Sequence, residues 1–315
     1  MTNTPFNPTD TAGDLLNGWA PLTHEALLRL QGQDACKFLQ GQTTADFAKA
    51  QSLDVIPGAF CDVKGRVIAD FRALVVSPDD LILCVNESLA SSLLTHLTKY
   101  LMFSKADLTQ TLEHPWGLTG TEAHAHFGFD STPLSANRAI ALAQGWLIPL
   151  ADQTSLLVAN DSAVIEANLN NESLDDYTAA WRALGCLRGE ARVTSTTTGK
   201  YLPQDLSYDL AGWVSFDKGC YTGQEIIARL HWRGTPKRRL YHGTALVKCS
   251  TEGAKLLSKT DNRAVGSIVN SADYQTGSLF LVEATESAAG QHVLIEETGQ
   301  EISIGDAPIP YATNS

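Results

Sequence analysis

The sequence lacks most of the short motifs that would mark a familiar chemistry. No two of its 24 glycines stand at G-x-G spacing, which excludes the dinucleotide fingerprint and the kinase glycine loop. It has no G-x-x-x-x-G-K-[ST], no H-E-x-x-H and no G-x-S-x-G. A P-loop NTPase, a zincin and an α/β-hydrolase are excluded with them. Six cysteines (Cys36, Cys61, Cys84, Cys186, Cys220, Cys249) are scattered and none forms a C-x-x-C. That is the pattern of a reducing compartment, not of a disulfide framework or a zinc site. No apolar run is long enough to span a bilayer; Trp146 to Val158 comes closest, and Pro149 and Asp152 break it. Basic residues are scarce: 23 Lys and Arg face 35 Asp and Glu, a net charge of −12. Such a balance favours solubility and argues against a nucleic-acid coat or a membrane-surface protein. The opening residues carry no base before Arg29, unlike a secretory signal or a transit peptide, so a cytoplasmic protein is expected.

What is present fills two or three domains, given 315 residues of which 43% are hydrophobic. Residues 1–20 read as a lead-in. Ala26 to Leu30 reads as a strand, and Asp34 as the N-cap of a helix carrying Ala35, Phe38 and Leu39. Gly58 to Asp62 and Arg66 to Phe71, joined by Lys64-Gly65, form a hairpin. Leu81 to Val85 is a strand leading to Asn86 and an amphipathic helix with Leu89, Leu93, Leu97 and Leu101 on one face. Strands are expected from Trp116 to Ala159, with a loop at Asp130 to Pro133. A short helix follows near Ala163 to Asn168, then a longer one from Asp175 to Leu187, and irregular chain from Gly189 to Phe216. Beyond a boundary near Gly234-Thr235-Pro236, strand-like runs alternate with turn residues, as in a small barrel or sandwich.

The densest chemistry lies in Asp217-Lys218-Gly219-Cys220-Tyr221-Thr222-Gly223-Gln224-Glu225. Glycines either side of a cysteine suggest a tight turn with close backbone approach, and Gln224-Glu225 suit the first turn of a helix. Cys220 reads either as a thiolate nucleophile or soft ligand, activated by Lys218, the helix start, Arg229 or Arg233, or as a small packed residue. Arg229, Arg233, Lys237, Arg238 and Arg239 make five of the 23 basic residues within eleven positions without an acid. They read either as an anion subsite, for phosphate, a polyglutamyl tail or RNA, or as a solvated linker. One short basic segment does not make a groove-tracking surface, which argues against direct nucleic-acid binding. His124 and His126 are spaced like ligands on a strand face, and are read as a solvated loop. Asp62, Asp70, Arg188 and Glu190 are candidate polar groups for a ligand's amide and amine edges.

Lys218 to Glu225 resembles the K-G-C-[FY]-x-G-Q-E signature of the YgfZ proteins, folate-binding proteins of iron–sulfur cluster maintenance. Gly32-Gln33-Asp34-Ala35, Phe38 to Gln42, Thr44-Ala45-Asp46, Cys61-Asp62-x-Lys64-Gly65-Arg66, Gly199-x-x-Leu202-Pro203-Gln204 and Arg233-Gly234 are similar to further family blocks. These proteins resemble in turn the T protein of the glycine cleavage system, a tetrahydrofolate-dependent aminomethyltransferase. The likeness implies an α+β fold: a folate-binding region of two intertwined subdomains over 21–234 and a C-terminal β-barrel over 235–315. It also implies tetrahydrofolate or another reduced folate in a central cavity. Cys220 would be the functional thiol with Lys218 at its side. Asp70, Arg188, Glu190, Tyr221, Gly223, Gln224, Arg229 and Arg233 would face the folate. The implied partners are iron–sulfur assembly factors and [4Fe–4S] client enzymes, including those that modify tRNA.

Departures from the T protein are equally specific. Cys220 stands where that protein has an acid and Ala69-Asp70 where its hairpin has adjacent acids; Glu190-Ala191-Arg192 replaces a more apolar stretch usual in the YgfZ family. Three activities stay open on sequence: a folate-dependent accessory factor for cluster assembly or repair, a true aminomethyltransferase or demethylase, and an RNA or protein interaction module.

Overall fold

Leucine at every fourth position from Leu89 dictates the longest helix, Glu87–Leu101, which buries all four leucines. At roughly 1.5–3 kcal/mol for each buried leucine, that stripe stabilises the helix far more than propensity does. Asn86 caps its start, accepting a hydrogen bond from the Ser88 amide, and Glu87 complements the dipole. The structure, a computed structural model, describes residues 17–128, 137–150, 153–168 and 173–306.

In chain order, strands β1 (Gly18–Pro21) and β2 (Glu25–Gln31) precede helix α1 (Ala35–Gln42). The hairpin β3 (Val55–Cys61) and β4 (Val67–Ser77), strand β5 (Asp80–Asn86), helix α2 (Glu87–Leu101) and strand β6 (Asp107–Gln110) follow. Then come β7 (Trp116–Thr119), α3 (Gly120–His126), β8 (Ile140–Leu142), β9 (Gly145–Pro149), β10 (Thr154–Ala159), α4 (Leu174–Leu187) and α5 (Gln224–Arg233). The last six strands are β11 (Arg238–Ala245), β12 (Lys255–Ser258), β13 (Ala264–Tyr274), β14 (Gly277–Thr285), β15 (His292–Ile295) and β16 (Glu301–Ile304).

Two antiparallel five-stranded sheets, ordered β3-β4-β5-β2-β6 and β1-β7-β10-β9-β8, sit on either side of α4. Tyr177, Trp181 and Leu184 of α4 pack against Leu27, Leu74 and Ile82 of one sheet and Ile148, Leu156 and Val158 of the other. Strands β11 to β16 close into a barrel, sealed where Gly243 of β11 pairs with Ile304 of β16. A bulge between Ile268 and Asn270 breaks the register of β13. Ile268 fills the barrel interior while its neighbour Val269 joins the main core. Bulges re-aim side chains in this way, and here Asn270 ends beside the segment that follows α4.

Several sequence expectations change. The part of the lead-in that is described already holds β1 from Gly18, and the rest, like the loop at Asp130 to Pro133, lies outside the described residues. Asp34 precedes α1 but does not cap it with its side chain, which accepts from the Lys105 amide at 2.9 Å. The expected run of strands from Trp116 is interrupted by α3. His124 is therefore neither a strand residue nor in a solvated loop: it is buried, bonded to the Gly120 carbonyl (2.7 Å) and the Ser155 hydroxyl (2.9 Å). His126 stacks on Trp19 at 4.3 Å. Near Ala163 there is one 3-10 turn, Ser162–Val164. Among the described residues no helix is long and apolar enough to cross a membrane.

Candidate functional site

The glycine-bracketed cysteine sits on a turn that three other sequence blocks hold in place. Thr44, just past α1, is buried; its hydroxyl donates to the Trp213 carbonyl (2.7 Å) and accepts from the Ala59 amide of β3 (2.9 Å). Its carbonyl accepts from the Ser215 amide, pinning the chain that leads into the turn. Lys218 is 8% exposed and points inward: its ammonium donates to the carbonyls of Thr43 (2.8 Å) and Ala45 and lies 5.0 Å from the Tyr221 ring. Burial lowers its pKa to about 8, against the smaller opposing pull of Asp46. At the β3–β4 tip, Asp62 accepts from the amides of Lys64 and Arg66, both at 2.8 Å, and shapes the turn that Gly65 completes. Gly223 rests on that tip with φ +84°, a left-handed value that a side chain resists. From the Leu202-Pro203-Gln204 block, Gln204 donates to the Ile227 carbonyl of α5 at 2.8 Å.

What this bracing leaves outside is the thiol. Cys220 is exposed, whereas Cys61, Cys84 and Cys186 are buried and Cys36 and Cys249 half-buried. Beside the turn runs α5, whose His231 stacks on Phe216 at 3.6 Å and meets Trp232 edge to face at 4.6 Å. Trp232 is 67% exposed, and Val63 at the hairpin tip 81%. Arg229 and Arg233 are exposed with no ion pair among the described residues. Lys237 is exposed and unpaired as well among the described residues, but Arg238 pairs with Glu283 (3.1 Å) and Arg239 with Asp209 (2.6 Å), acids supplied from distant sequence. Only part of the run is therefore open to an anion.

A second centre is largely buried. Arg192 grips Glu25 through two hydrogen bonds (2.9 and 3.0 Å) and reaches Asp70 through Nε (2.5 Å). The other Asp70 oxygen accepts from the Val193 amide at 2.5 Å. Glu190 binds Arg72 (2.5 Å) and Arg188 (3.2 Å). Three carboxylates thus answer three guanidiniums. Burial alone would raise the Glu190 pKa, but Arg72, Arg188 and Arg192 overcome it and hold the carboxyl well below the usual range. For Glu25 burial outweighs Arg192, and its pKa is raised. Asn270 clasps Arg192 by its backbone, accepting from its amide and donating to its carbonyl, each at 2.8 Å. Arg188, Glu190, Arg192, Glu25, Asn270, Trp181 and His24 line an open crevice between the strands and α4.

The candidate residues fall into these two places. Asp70, Arg188 and Glu190 belong to the buried network. Cys220, Lys218, Tyr221, Gly223, Gln224, Arg229 and Arg233 belong to the turn and α5. Tyr221 is itself buried, and burial, with Cys61 nearby, raises its pKa. Strand β4 links the centres, since Asp70 lies five residues, at most about 17 Å, from Gly65. Sequence reasoning missed His24, Glu25, Arg72, Arg192 and Asn270 as site residues. A glutamate directly before the apolar run Ala26-Leu27-Leu28 was the available signal for Glu25.

In fold the molecule is of the glycine cleavage T-protein class. The aminomethyltransferase T of the glycine cleavage system from Bartonella henselae superposes with a TM-score of 0.69 over 97% of this chain and 90% of that one, at 14% identity. Among sequences, the tRNA-modifying protein YgfZ of Colwellia psychrerythraea is 31% identical over 225 residues, 70% of this chain and 69% of that protein. The Vibrio vulnificus protein of the same name is 30% identical over 263 residues, 81% and 80% of the two chains. The chain belongs to the YgfZ family. No protein-family model matches it.

Proposed function

We propose that this is a tetrahydrofolate-binding accessory factor in the assembly or repair of iron–sulfur clusters, with Cys220 as its functional thiol. Its clients would be [4Fe–4S] enzymes, those that modify tRNA among them. The observation that carries the reading is the placement of Cys220. Lys218, Thr44 and Gly223 fix the turn from inside, and of six cysteines this one is exposed. A braced, exposed thiol on the turn that leads into α5, the helix carrying Arg229, Trp232 and Arg233, suits transfer to or from a protein client, the cluster or its sulfur being cargo.

The crevice suits a reduced folate by its donor set. Glu25, Arg188, Glu190 and Arg192 on its lining are ion-paired, Trp181 supplies an aromatic wall, and the buried Nδ1 of His24 has no partner among the described residues. A flat, neutral pterin with donor and acceptor edges fits such a wall better than a charged ligand would. When bound, the folate would supply one-carbon carrying capacity; Glu190, Arg188 and Arg192 would hold its ring edge. Asp70 speaks against aminomethyl transfer as the activity. Both its oxygens are committed, to Arg192 and to the Val193 amide, so it is poorly placed to take a proton.

The test is replacement of Cys220 by Ser or Ala, followed by assay of [4Fe–4S] enzymes in cells under oxidative stress. Their activities should fall while the protein accumulates normally; undiminished activities would sink the role of the thiol. Titration of the purified protein with tetrahydrofolate tests the cavity separately.

A further inference from the structure

We propose that His24 fixes the orientation of a pterin ring in the crevice, donating a hydrogen bond from Nε2–H to the ring's carbonyl oxygen. The proposal rests on the folate reading above and goes beyond it by naming a specificity residue.

His24 sits in the turn before β2, its carbonyl held by the Glu87 amide at 2.9 Å. Its ring lines the crevice together with Glu25, Trp181, Glu190 and Arg192. Of the two ring nitrogens, Nδ1 is sealed from solvent without a partner among the described residues. A buried N–H with nothing to bond costs more than a buried lone pair in the same place. The proton therefore resides on Nε2, and the ring presents a donor toward the open side. That donor is uncharged at neutral pH. Burial, helped by Arg182, Arg192 and His114 and opposed by Glu190, brings the imidazole pKa down to about 3.

Several neighbouring polar groups are already used. Asn270 spends both ends of its amide on Arg192, Thr194 donates to Glu252, and Asn86 caps α2. Glu25, Arg188, Glu190 and Arg192 are paired with one another or with Asp70 and Arg72, while Arg182 and Glu252, also on the crevice lining, form no ion pair among the described residues. A neutral donor discriminates by hydrogen-bond pattern, which is how a site rejects an analogue lacking the matching group.

The experiment is anaerobic calorimetric titration of the full chain with tetrahydrofolate, comparing wild type, His24→Phe and His24→Gln. Loss of one neutral hydrogen bond should weaken H24F about 10-fold, while H24Q, which keeps a donor, should stay within about 3-fold of wild type. If wild type binds and H24F binds equally well, the role of His24 is overturned and the folate site stands. If wild type binds no reduced folate, the folate reading falls and this inference with it. Should H24F not fold, 15N spectra of wild-type His24 decide. A proton on Nε2 whose resonance moves on saturation supports the role; a proton on Nδ1, or an unmoved resonance, overturns it.

Discussion

Gly223 and Gly65 face each other so closely that a Cβ on Gly223 would stand 2.9 Å from the Gly65 Cα and 3.1 Å from its amide nitrogen. The turn carrying Cys220 and the tip of the β3–β4 hairpin are in effect one surface. Gly223→Ala must both strain a left-handed residue and part the two turns. It should cost about 2–4 kcal/mol in urea unfolding. In the folded variant the alkylation rate of Cys220 should change, while the buried thiols of Cys61, Cys84 and Cys186 stay protected.

Lys218 should behave as a positioning residue. Lys218→Met removes charge-assisted hydrogen bonds to the Thr43 and Ala45 carbonyls. A loss of about 1.5–3 kcal/mol is expected, read as a drop in Tm. Hydrogen exchange should quicken in residues 215–223 before it does in the barrel.

The buried pair Asp70–Arg192 is a case where removing one partner hurts more than removing both. Arg192→Met leaves Asp70 and Glu25 without their guanidinium and should cost about 3–5 kcal/mol. Adding Asp70→Asn should recover part of that, so a double-mutant cycle in guanidinium chloride returns a clearly non-additive pair.

Acid should act through His24 first. Its imidazole is held neutral, with a pKa of about 3 against 6.5 unfolded. The unfolded chain therefore gains a proton that the fold refuses. The stability is full above pH 6.5 and falls by up to about 1.4 kcal/mol per pH unit between 6.5 and 3. Glu190, with its pKa depressed, contributes stability above its unfolded 4.5 that is lost as pH falls further; Glu25, with its pKa raised, has the opposite sign. Denaturation of wild type and His24→Gln at pH 7, 6 and 5 should show a shallower fall in the variant; parallel curves would contradict the depressed imidazole.

The parts of this molecule governed by neighbours in sequence were legible. Leucine spacing gave α2, Lys64-Gly65 gave the hairpin turn, and Gly223-Gln224-Glu225 marked the start of α5. Turn residues alternating with short apolar runs pointed to a barrel or sandwich, and the chain closes a barrel. The bracing of Cys220 was half visible: its blocks could be read, but not that they touch. Long-range pairing was not visible at all. Arg192 meets Asp70 and Glu25 across 122 and 167 positions, and no local pattern encodes such a meeting. His124 was misread because Gly120, with φ +82°, turns the chain from strand into helix at a place where alternation alone suggests continued strand.

The clasp of Asn270 on Arg192 makes the barrel part of the buried centre's scaffolding. Its side-chain amide imitates a neighbouring strand, satisfying the main chain at the residue that holds Asp70 and Glu25. Shortening the protein before β11 would therefore not yield a smaller working unit. It would release that arginine from its seat, and the truncated chain would share the defects of a point mutant at Arg192.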